Sequence, residues 1–248
     1  MMDPMFTILV PTYNHGSLLR YALASILQQS CQNFEVFIIC DGAMDEGVEI
    51  AWQYARKDPR FRVLDRPKGT RHGEAYRHEA LQTAKGKFVC YLSDDDLWFP
   101  DHLQHMEEAL LKADFVHSRY VAVLQKEKMV AIHESLEDTE IRDRMLKERY
   151  NIFGPTIAGH RLDTYRRLPE GWSPGPENVW SDLNMWRKFL KLEKITFHAI
   201  LAVTALILPS NFRTTMSLKE REAETAFWAK RISCLSFRTT IQDTFFML

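Results

Sequence analysis

The sequence predicts an α/β fold with a mainly parallel central sheet, and three observations carry the prediction. Short apolar, β-branched runs alternate with segments whose apolar residues recur at helical spacing. Several of the runs end in polar side chains, which such a sheet gathers on one rim. The 248 residues are 46% hydrophobic and 26% charged, which is enough for a substantial core and argues against disorder.

Taken in order, residues 6–10 (Phe-Thr-Ile-Leu-Val) form a buried strand stopped by Pro11. Leu18, Leu19, Ala22, Leu23, Ile26 and Leu27 give residues 16–29 a helical period. Residues 34–40 are a second strand, closed by Asp41-Gly42, and residues 48–56 a helix. Residues 61–64 make a short third strand, 74–84 a helix ending near Gly86, and 87–92 a fourth strand running into Ser93-Asp94-Asp95-Asp96. Alternation of this kind implies right-handed crossovers and parallel strands. It places residues 11–14, Asp41 and residues 94–96 on one rim, where ligands bind in such sheets.

The pattern changes after Pro100. A helix over 102–112 precedes an antiparallel pair, 114–124 and 129–133, and a charged helix over 135–150 whose Arg/Lys pattern reads as a solvated face. Residues 152–175 are rich in Gly and Pro and read as loop. Residues 179–190 form a helix with Val179, Leu183, Trp186 and Leu190 on one face. Residues 195–208 are a late buried strand and 217–228 a polar helix; the last twenty residues carry no clear pattern. No repeat or linker interrupts the chain, so one domain is expected, with a ligand-binding half at 1–105 and a second half, 106–248, for a second substrate.

Bulk properties remove several function classes. A formal net charge of −1 offers no global attraction to nucleic acid or anionic lipid. Cys31, Cys40, Cys90 and Cys234 are widely spaced, which reads as free thiols in a reducing compartment. Met1-Met2-Asp3-Pro4 leads straight into a strand without the pattern of a signal peptide. The longest apolar run, 195–208, is broken by His198 and threonines and is too short to span a bilayer. A cytoplasmic protein is expected. The apolar residues 245–248 are expected to pack, with peripheral contact at the inner membrane face as the alternative.

Asp94, Asp95 and Asp96 repel one another unless a cation or hydrogen bonds neutralise them. A hard divalent ion, Mg²⁺ or Mn²⁺, does so with few protein carboxylates and leaves coordination positions for substrate phosphates. The competing structural role is an acidic turn or cap before the helix after Pro100. No Gly-rich loop followed by Lys-Ser/Thr is present, which argues against a P-loop nucleotidase.

At this point the residues resemble the family-2 glycosyltransferases, which share the GT-A fold. Val10-Pro11-Thr12-Tyr13-Asn14 is similar to that family's first-strand motif. Phe34-Glu35-Val36-Phe37-Ile38-Ile39-Cys40-Asp41-Gly42 is similar to its second strand, which ends in an Asp that recognises the donor base. Arg77 resembles the arginine of an Arg-Asn helix start, with His78 in place of Asn. The stretch 85–98, from Lys85-Gly86 to Leu97-Trp98, resembles the strand and acidic metal motif. The match in order and spacing covers roughly residues 5–105. Asp41-Gly42-Ala43-Met44-Asp45 departs from the usual Asp-Gly-Ser-Thr-Asp, and Ser93 stands where many members carry an acid. Trp180-Ser181-Asp182-Leu183-Asn184-Met185-Trp186 resembles the helix start that carries the catalytic base, with Ser181 replacing the first of two acids.

The resemblance implies an inverting, metal-dependent transfer of sugar from a UDP-, GDP- or dTDP-sugar to a glycan or lipid-linked acceptor. Pro11, Thr12, Tyr13, Asp41, Arg77, Asp94 and Asp95 are expected to hold the nucleotide sugar, with Tyr13 stacking on the base and Asp41 accepting from its ring N–H. Asp95 and Asp96 are expected nearest the Mn²⁺ or Mg²⁺, and Asp94 toward ribose or sugar. Arg71 and His72 are further candidate phosphate donors. Asp182 is the expected general base, with Glu177 as substitute and a helix N-cap as its structural alternative. Asp45 is read as a helix N-cap, Trp98 as packing beneath the acidic loop, and Trp172 and Trp180 as packing or sugar-stacking aromatics. His160 and His198 are read as structural, with metal ligation as the alternative. Two other functions remain at this level: a non-catalytic nucleotide-sugar-binding scaffold, and a nucleotidyltransferase, for which residues 11–16 lack the Gly-rich basic phosphate loop.

Overall fold

The computed structural model describes residues 3–124 and 128–246. Met1, Met2, Met247 and Leu248, on which the expectations for the two chain ends partly fall, lie outside the described residues. In chain order the strands and helices are β1 (Phe6–Thr12), α1 (Leu19–Leu27), β2 (Phe34–Asp41), α2 (Asp45–Lys57), β3 (Phe61–Arg66), α3 (Glu74–Thr83), β4 (Phe88–Tyr91), β5 (Leu97–Trp98), α4 (His102–Leu110), β6 (Phe115–Val123), β7 (Met129–Ala131), α5 (Thr139–Lys147), β8 (Ala158–Arg161), α6 (Leu162–Arg166), α7 (Ser181–Leu190), β9 (Phe197–Ile207), α8 (Leu218–Ile232) and α9 (Leu235–Phe246).

One sheet runs through both halves of the chain, in the order β3-β2-β1-β4-β8-β6-β9-β5, with β7 against β6. The first four strands are parallel; β1, β2 and β4 are apolar runs covered on both faces, whereas β3 is a partly exposed edge strand. β8 is antiparallel to β4 and β6, β9 runs parallel to β6, and β5 antiparallel to β9. The expected pair β6–β7 is antiparallel. Glu35 and Gly86 set the start of β4: the Gly86 N–H donates to Thr7 Oγ1 (3.0 Å) and Glu35 Oε1 (3.2 Å). A Cβ at Gly86 would lie 2.3 Å from the Thr7 backbone nitrogen, so only glycine permits this approach.

Two apolar clusters flank the sheet. The larger holds β1, β2 and β4 with α1 and α7; the smaller gathers Leu97, Phe99, Val203, Leu206, Trp228, Ile232 and Ile241, and docks α8 and α9 on β5, β6 and β9. α8 is closed by a capping box between Ser217 and Glu220, and Ser17 donates to Glu222 across 205 residues of sequence (2.8 Å). The C-terminal helices thereby reach back to the end of β1.

Three segments differ from the sequence reading. Residues 152–175 hold a 3₁₀ turn at Pro155–Ile157, β8 and α6. β8 is Ala-Gly-His-Arg, without an apolar run of its own; its strand character comes from the two neighbours that bracket it. The last twenty residues include α9. Asp45 opens α2 at its first helical position and Met44 is the N-cap, so Asp45 is not the cap but an acid favourably placed against the helix dipole.

Candidate active site

The carboxyl ends of β1, β2 and β4 open onto one cleft of about 540 Å³, lined by Pro11, Thr12, Tyr13, Asn14, His15, Asp41, Lys68, Arg71, His72, Arg77, Ser93, Asp94, Asp95 and Ser210. The three strand ends thus meet as the alternation requires. Tyr13 is 47% exposed, with Lys68 Nζ 5.1 Å from its ring centroid, so a flat, electron-rich face is presented at the mouth. Asp41 is held by two donors, Lys68 Nζ and the Gly69 N–H, each at 2.6 Å. Gly73 packs against that carboxyl at positive φ (+67°), and a Cβ there would come within 2.6 Å of Asp41 Cγ. Gly73→Ala is therefore expected to displace Asp41 from its two donors and to lower Tm by a few degrees, which thermal unfolding measures.

The three acids separate into different roles. Asp94 Oδ1 meets His15 Nδ1 at 2.6 Å. Asp95 Oδ2 accepts from Ser210 Oγ (2.7 Å) and Arg221 Nη2 (2.8 Å) and lies 3.8 Å from His15 Nε2. Asp96 does not line the cleft. Its Oδ2 accepts from Thr156 Oγ1 (2.5 Å) and its Oδ1 from the Leu208 N–H (2.9 Å), tying the end of β4 to β9. Burial, then the charge of Asp95, push its carboxyl well above the ordinary range. The expected ligand pair Asp95 and Asp96 is accordingly corrected in geometry: the carboxylates facing the cleft are Asp94 and Asp95.

Buried polar atoms without a protein partner, among the described residues, include Thr12 Oγ1, Asp94 Oδ2 and Arg77 Nε. All three residues line this cleft. Each such atom costs about 1–3 kcal/mol unless something binds it, so the cleft is built for a ligand with donors, acceptors and negative charge. The donor set fits a divalent cation: hard carboxylate oxygens, one of them unengaged, with His15, Asp94 and Asp95 offering ligand atoms within 4.8 Å of one another.

A second cleft of about 510 Å³ continues from the first, sharing His72 and Arg77, and is lined further by Tyr120, Asn151, Phe153, Trp172, Trp180, Ser181 and Asp182. Bulges between β6 and β9 at Ser118, Arg119 and Tyr120 bring Tyr120 into this wall. Arg77 is buried. Its Nη1 donates to the His72 carbonyl (2.6 Å), and its guanidinium sits 5.1 Å from the Trp172 ring centroid. Burial pulls its pKa down, and Glu74, Tyr91, Asp41 and Asp182 pull it back. Arg71, which also lines the first cleft, donates to the carbonyls of Gly175 (3.2 Å) and Val179 (3.1 Å), tying the 171–180 loop to the site.

Asp182 stands in the first turn of α7, whose N-cap is Trp180, so it is not the cap. Its Oδ1 accepts from the Leu183 N–H (2.8 Å) and its Oδ2 from Asn151 Nδ2 (2.9 Å). Burial raises its pKa to about 6; those bonds and Arg77 work in the other direction. Glu177 is exposed and lines neither cleft. Trp98 is fully buried, donates to the Thr156 carbonyl (2.7 Å) and stacks on His102, as packing beneath the acidic loop. Trp172 is buried with its Nε1 on Tyr91 Oη (3.0 Å), whereas Trp180 is 44% exposed at the cleft. His160 is buried against Tyr91 Oη (2.6 Å) and His198 pairs with Glu137 (3.0 Å), both outside the cleft.

Sequence reasoning did not single out Lys68, Asn151, Ser210 or Arg221, and passed over His15. Lys68 had a signal, since the third strand ends on the same rim one residue before Pro67. Arg221, 126 residues from its partner Asp95, had none.

Residues 7–168 match the sequence profile of Glycosyl transferase family 2, and the chain belongs to that family. It is 32% identical over 230 residues to the uncharacterized glycosyltransferase RP339 of Rickettsia prowazekii, covering 88% of this chain and 69% of that one. It spans 35% of the length of another relative, EpsH of Bacillus subtilis. Among solved structures, residues 1–349 of S. aureus TarS in complex with UDP-GlcNAc superpose with a TM-score of 0.61 at 17% identity, over 84% of this chain and 59% of that one. The mannosyltransferase PcManGT of Pyrobaculum calidifontis, in complex with GDP-Man and Mn²⁺, gives 0.57 at 16% identity, over 98% and 80%. The fold is therefore GT-A-like, a mixed α/β sheet flanked by helices. No helix of the described residues is long and apolar enough to cross a membrane.

Proposed function

We propose that this chain transfers a sugar, with inversion, from a nucleoside-diphosphate sugar to a hydroxyl of a glycan or lipid-linked acceptor. The observation that carries this is the pair of contiguous clefts, with Asp94 and Asp95 in one, Asp182 in the other, and His72 and Arg77 at the junction. Tyr13 and Asp41 receive the base, Thr12 the ribose side, and Arg77 the diphosphate. Asp94 and Asp95 hold Mn²⁺ or Mg²⁺, which when bound neutralises charge on the departing diphosphate. Asp182 takes the proton from the acceptor hydroxyl. The hydroxyl oxygen then forms its bond to the anomeric carbon as the bond to the diphosphate oxygen breaks on the opposite face. A carboxyl near pKa 6 is ionised at neutral pH yet basic enough to receive that proton. The exposed ring of Trp180 offers a face to the acceptor.

The complexes of TarS with UDP-GlcNAc and of PcManGT with GDP-Man support donors of this class without choosing the base. A thermal-shift screen of UDP-, GDP- and dTDP-sugars with and without Mn²⁺ makes the choice. The bound donor is expected to raise Tm, and EDTA is expected to abolish both that rise and sugar release. Turnover unchanged by chelation overturns metal dependence. Binding without any sugar transfer or donor hydrolysis leaves the scaffold reading standing instead.

A further inference from the structure

The reading of the first cleft as a donor site leaves Arg221 without a task. It stands near the start of α8, and its Nη2 donates to Asp95 Oδ2 (2.8 Å) and to Ser210 Oγ (3.1 Å); Ser210 Oγ itself donates to the same Asp95 oxygen (2.7 Å). One of the two carboxylates facing the cleft is therefore already paired with a cation of this chain. Arg213 shows how a structural arginine is held in this protein: its Nε, Nη1 and Nη2 all donate, to Glu224 and to the carbonyls of Val123 and Pro209. Arg221 donates through Nη2 alone among the described residues, and its Nε is buried with no protein partner. An unmet buried donor costs about 1–3 kcal/mol, so the guanidinium rests on Asp95 in a pose that does not complete it. α8 does not depend on that pose. The helix is fixed by its capping box, by Ser17 on Glu222, and by Trp228 and Ile232 in the smaller apolar cluster.

We propose that Arg221 is a tethered cation that holds Asp95 until the donor arrives, then yields that carboxylate to the divalent ion and pairs with the donor's diphosphate. The argument is one of charge. An ion entering the cleft alone meets a guanidinium already on Asp95, and the two cations repel. An ion that arrives with a diphosphate brings negative charge with it. Phosphate oxygens can take two parallel N–H donors from one guanidinium, a better partnership than a carboxylate oxygen shared with Ser210. The exchange frees Asp95 and gives the Nε–H an acceptor. Arg221 is thus a positioning residue with a selecting effect: it makes the ion bind together with diphosphate, and it favours nucleoside diphosphates over monophosphates.

This inference rests on the reading of the cleft as a metal-assisted donor site, and calorimetric titration separates the two. In Arg221→Gln, Mn²⁺ added alone is expected to bind roughly three- to tenfold more tightly, because its competitor is gone. UDP added with saturating Mn²⁺ is expected to bind about tenfold more weakly, and UMP to change by less than about threefold. The opposite signs are the signature, since an arginine that merely shapes Asp95 would weaken ion and nucleotide alike. Lys219→Gln removes the same charge from an exposed position on the same helix, and is expected to change each affinity by less than about twofold. Ser210→Ala, also at an exposed position, removes one donor to Asp95 and is expected to tighten Mn²⁺ alone by less than Arg221→Gln does. Mn²⁺ binding that is unchanged or weaker in Arg221→Gln overturns the proposal while the donor-site reading survives, and so does an equal loss for UDP and UMP. Should Arg221→Gln fail to fold, Ser210→Ala decides: unchanged or weaker Mn²⁺ binding there overturns the proposal. Failure of the unmodified protein to bind Mn²⁺ with UDP present overturns both readings.

Discussion

Asp182→Asn is expected to lower kcat by about 10²–10⁴ while leaving the donor's thermal shift in the presence of Mn²⁺ unchanged. The substitution is nearly isosteric and its hydrogen bonds can be kept. The amide oxygen still accepts from the Leu183 N–H, and the amide nitrogen can donate to Asn151 Oδ1, a buried atom with no partner in the present structure, once Asn151 turns over. What is lost is the proton acceptor. The same carboxyl sets the pH dependence: with a pKa of about 6, turnover falls as pH drops through 6 and is flat from about 7 upward until another group titrates. Linkage gives an independent check. The folded protein holds this proton more tightly than the unfolded chain, whose value is 3.8, so stability declines as pH rises from about 4 to 6 and stays lower above it. Asp182→Asn removes that penalty and is expected to raise Tm at pH 7 by a few degrees, corresponding to about 1 kcal/mol or more. A variant both slower and more stable identifies a carboxylate kept for chemistry. A variant that is slower and less stable identifies a structural one.

The sheet was legible in sequence wherever strands are buried on both faces, because such strands must be continuous apolar runs; β1, β2 and β4 declare themselves in this way. β8 did not, because Ala-Gly-His-Arg is a strand only by virtue of β4 and β6 on either side. The rim was legible for the same reason as the strands: parallel order fixes where Thr12, Asp41 and Asp94 emerge. The division of labour among the acids was not. Adjacent residues leaving a strand point in different directions, and which of them faces the cleft is decided by partners far along the chain, Thr156 and Leu208 for Asp96, Ser210 and Arg221 for Asp95. Asp182 was legible through the resemblance of residues 180–186 to the helix start that carries the catalytic base in family-2 glycosyltransferases. Asn151, which orients it, lies 31 residues away in a stretch with no periodicity.

A matched pair of neutral substitutions distinguishes the cleft-facing acids from their neighbour. Asp94→Asn is expected to abolish Mn²⁺-dependent stabilisation by nucleotide and to lower kcat/KM by about 10³-fold or more, since the charge balance at the leaving diphosphate is worth several kcal/mol and each 1.36 kcal/mol is a factor of ten. The fold should survive, because the amide oxygen can still accept from His15 Nδ1. Asp96→Asn is the same substitution two residues away, yet the opposite result is expected. Its amide oxygen can accept from the Leu208 N–H, its amide nitrogen can donate to Thr156 Oγ1 with that hydroxyl turned round, and a buried charge that the structure holds at a cost is gone. Metal-dependent nucleotide binding should therefore persist in Asp96→Asn, and stability should change by no more than about 1 kcal/mol. Were Asp96→Asn instead to lose the metal while Asp94→Asn kept it, the cation would sit deeper than the cleft and the assignment of the two carboxylates would reverse. Calorimetric titration of Mn²⁺ into each variant, with UDP present, reads the difference directly.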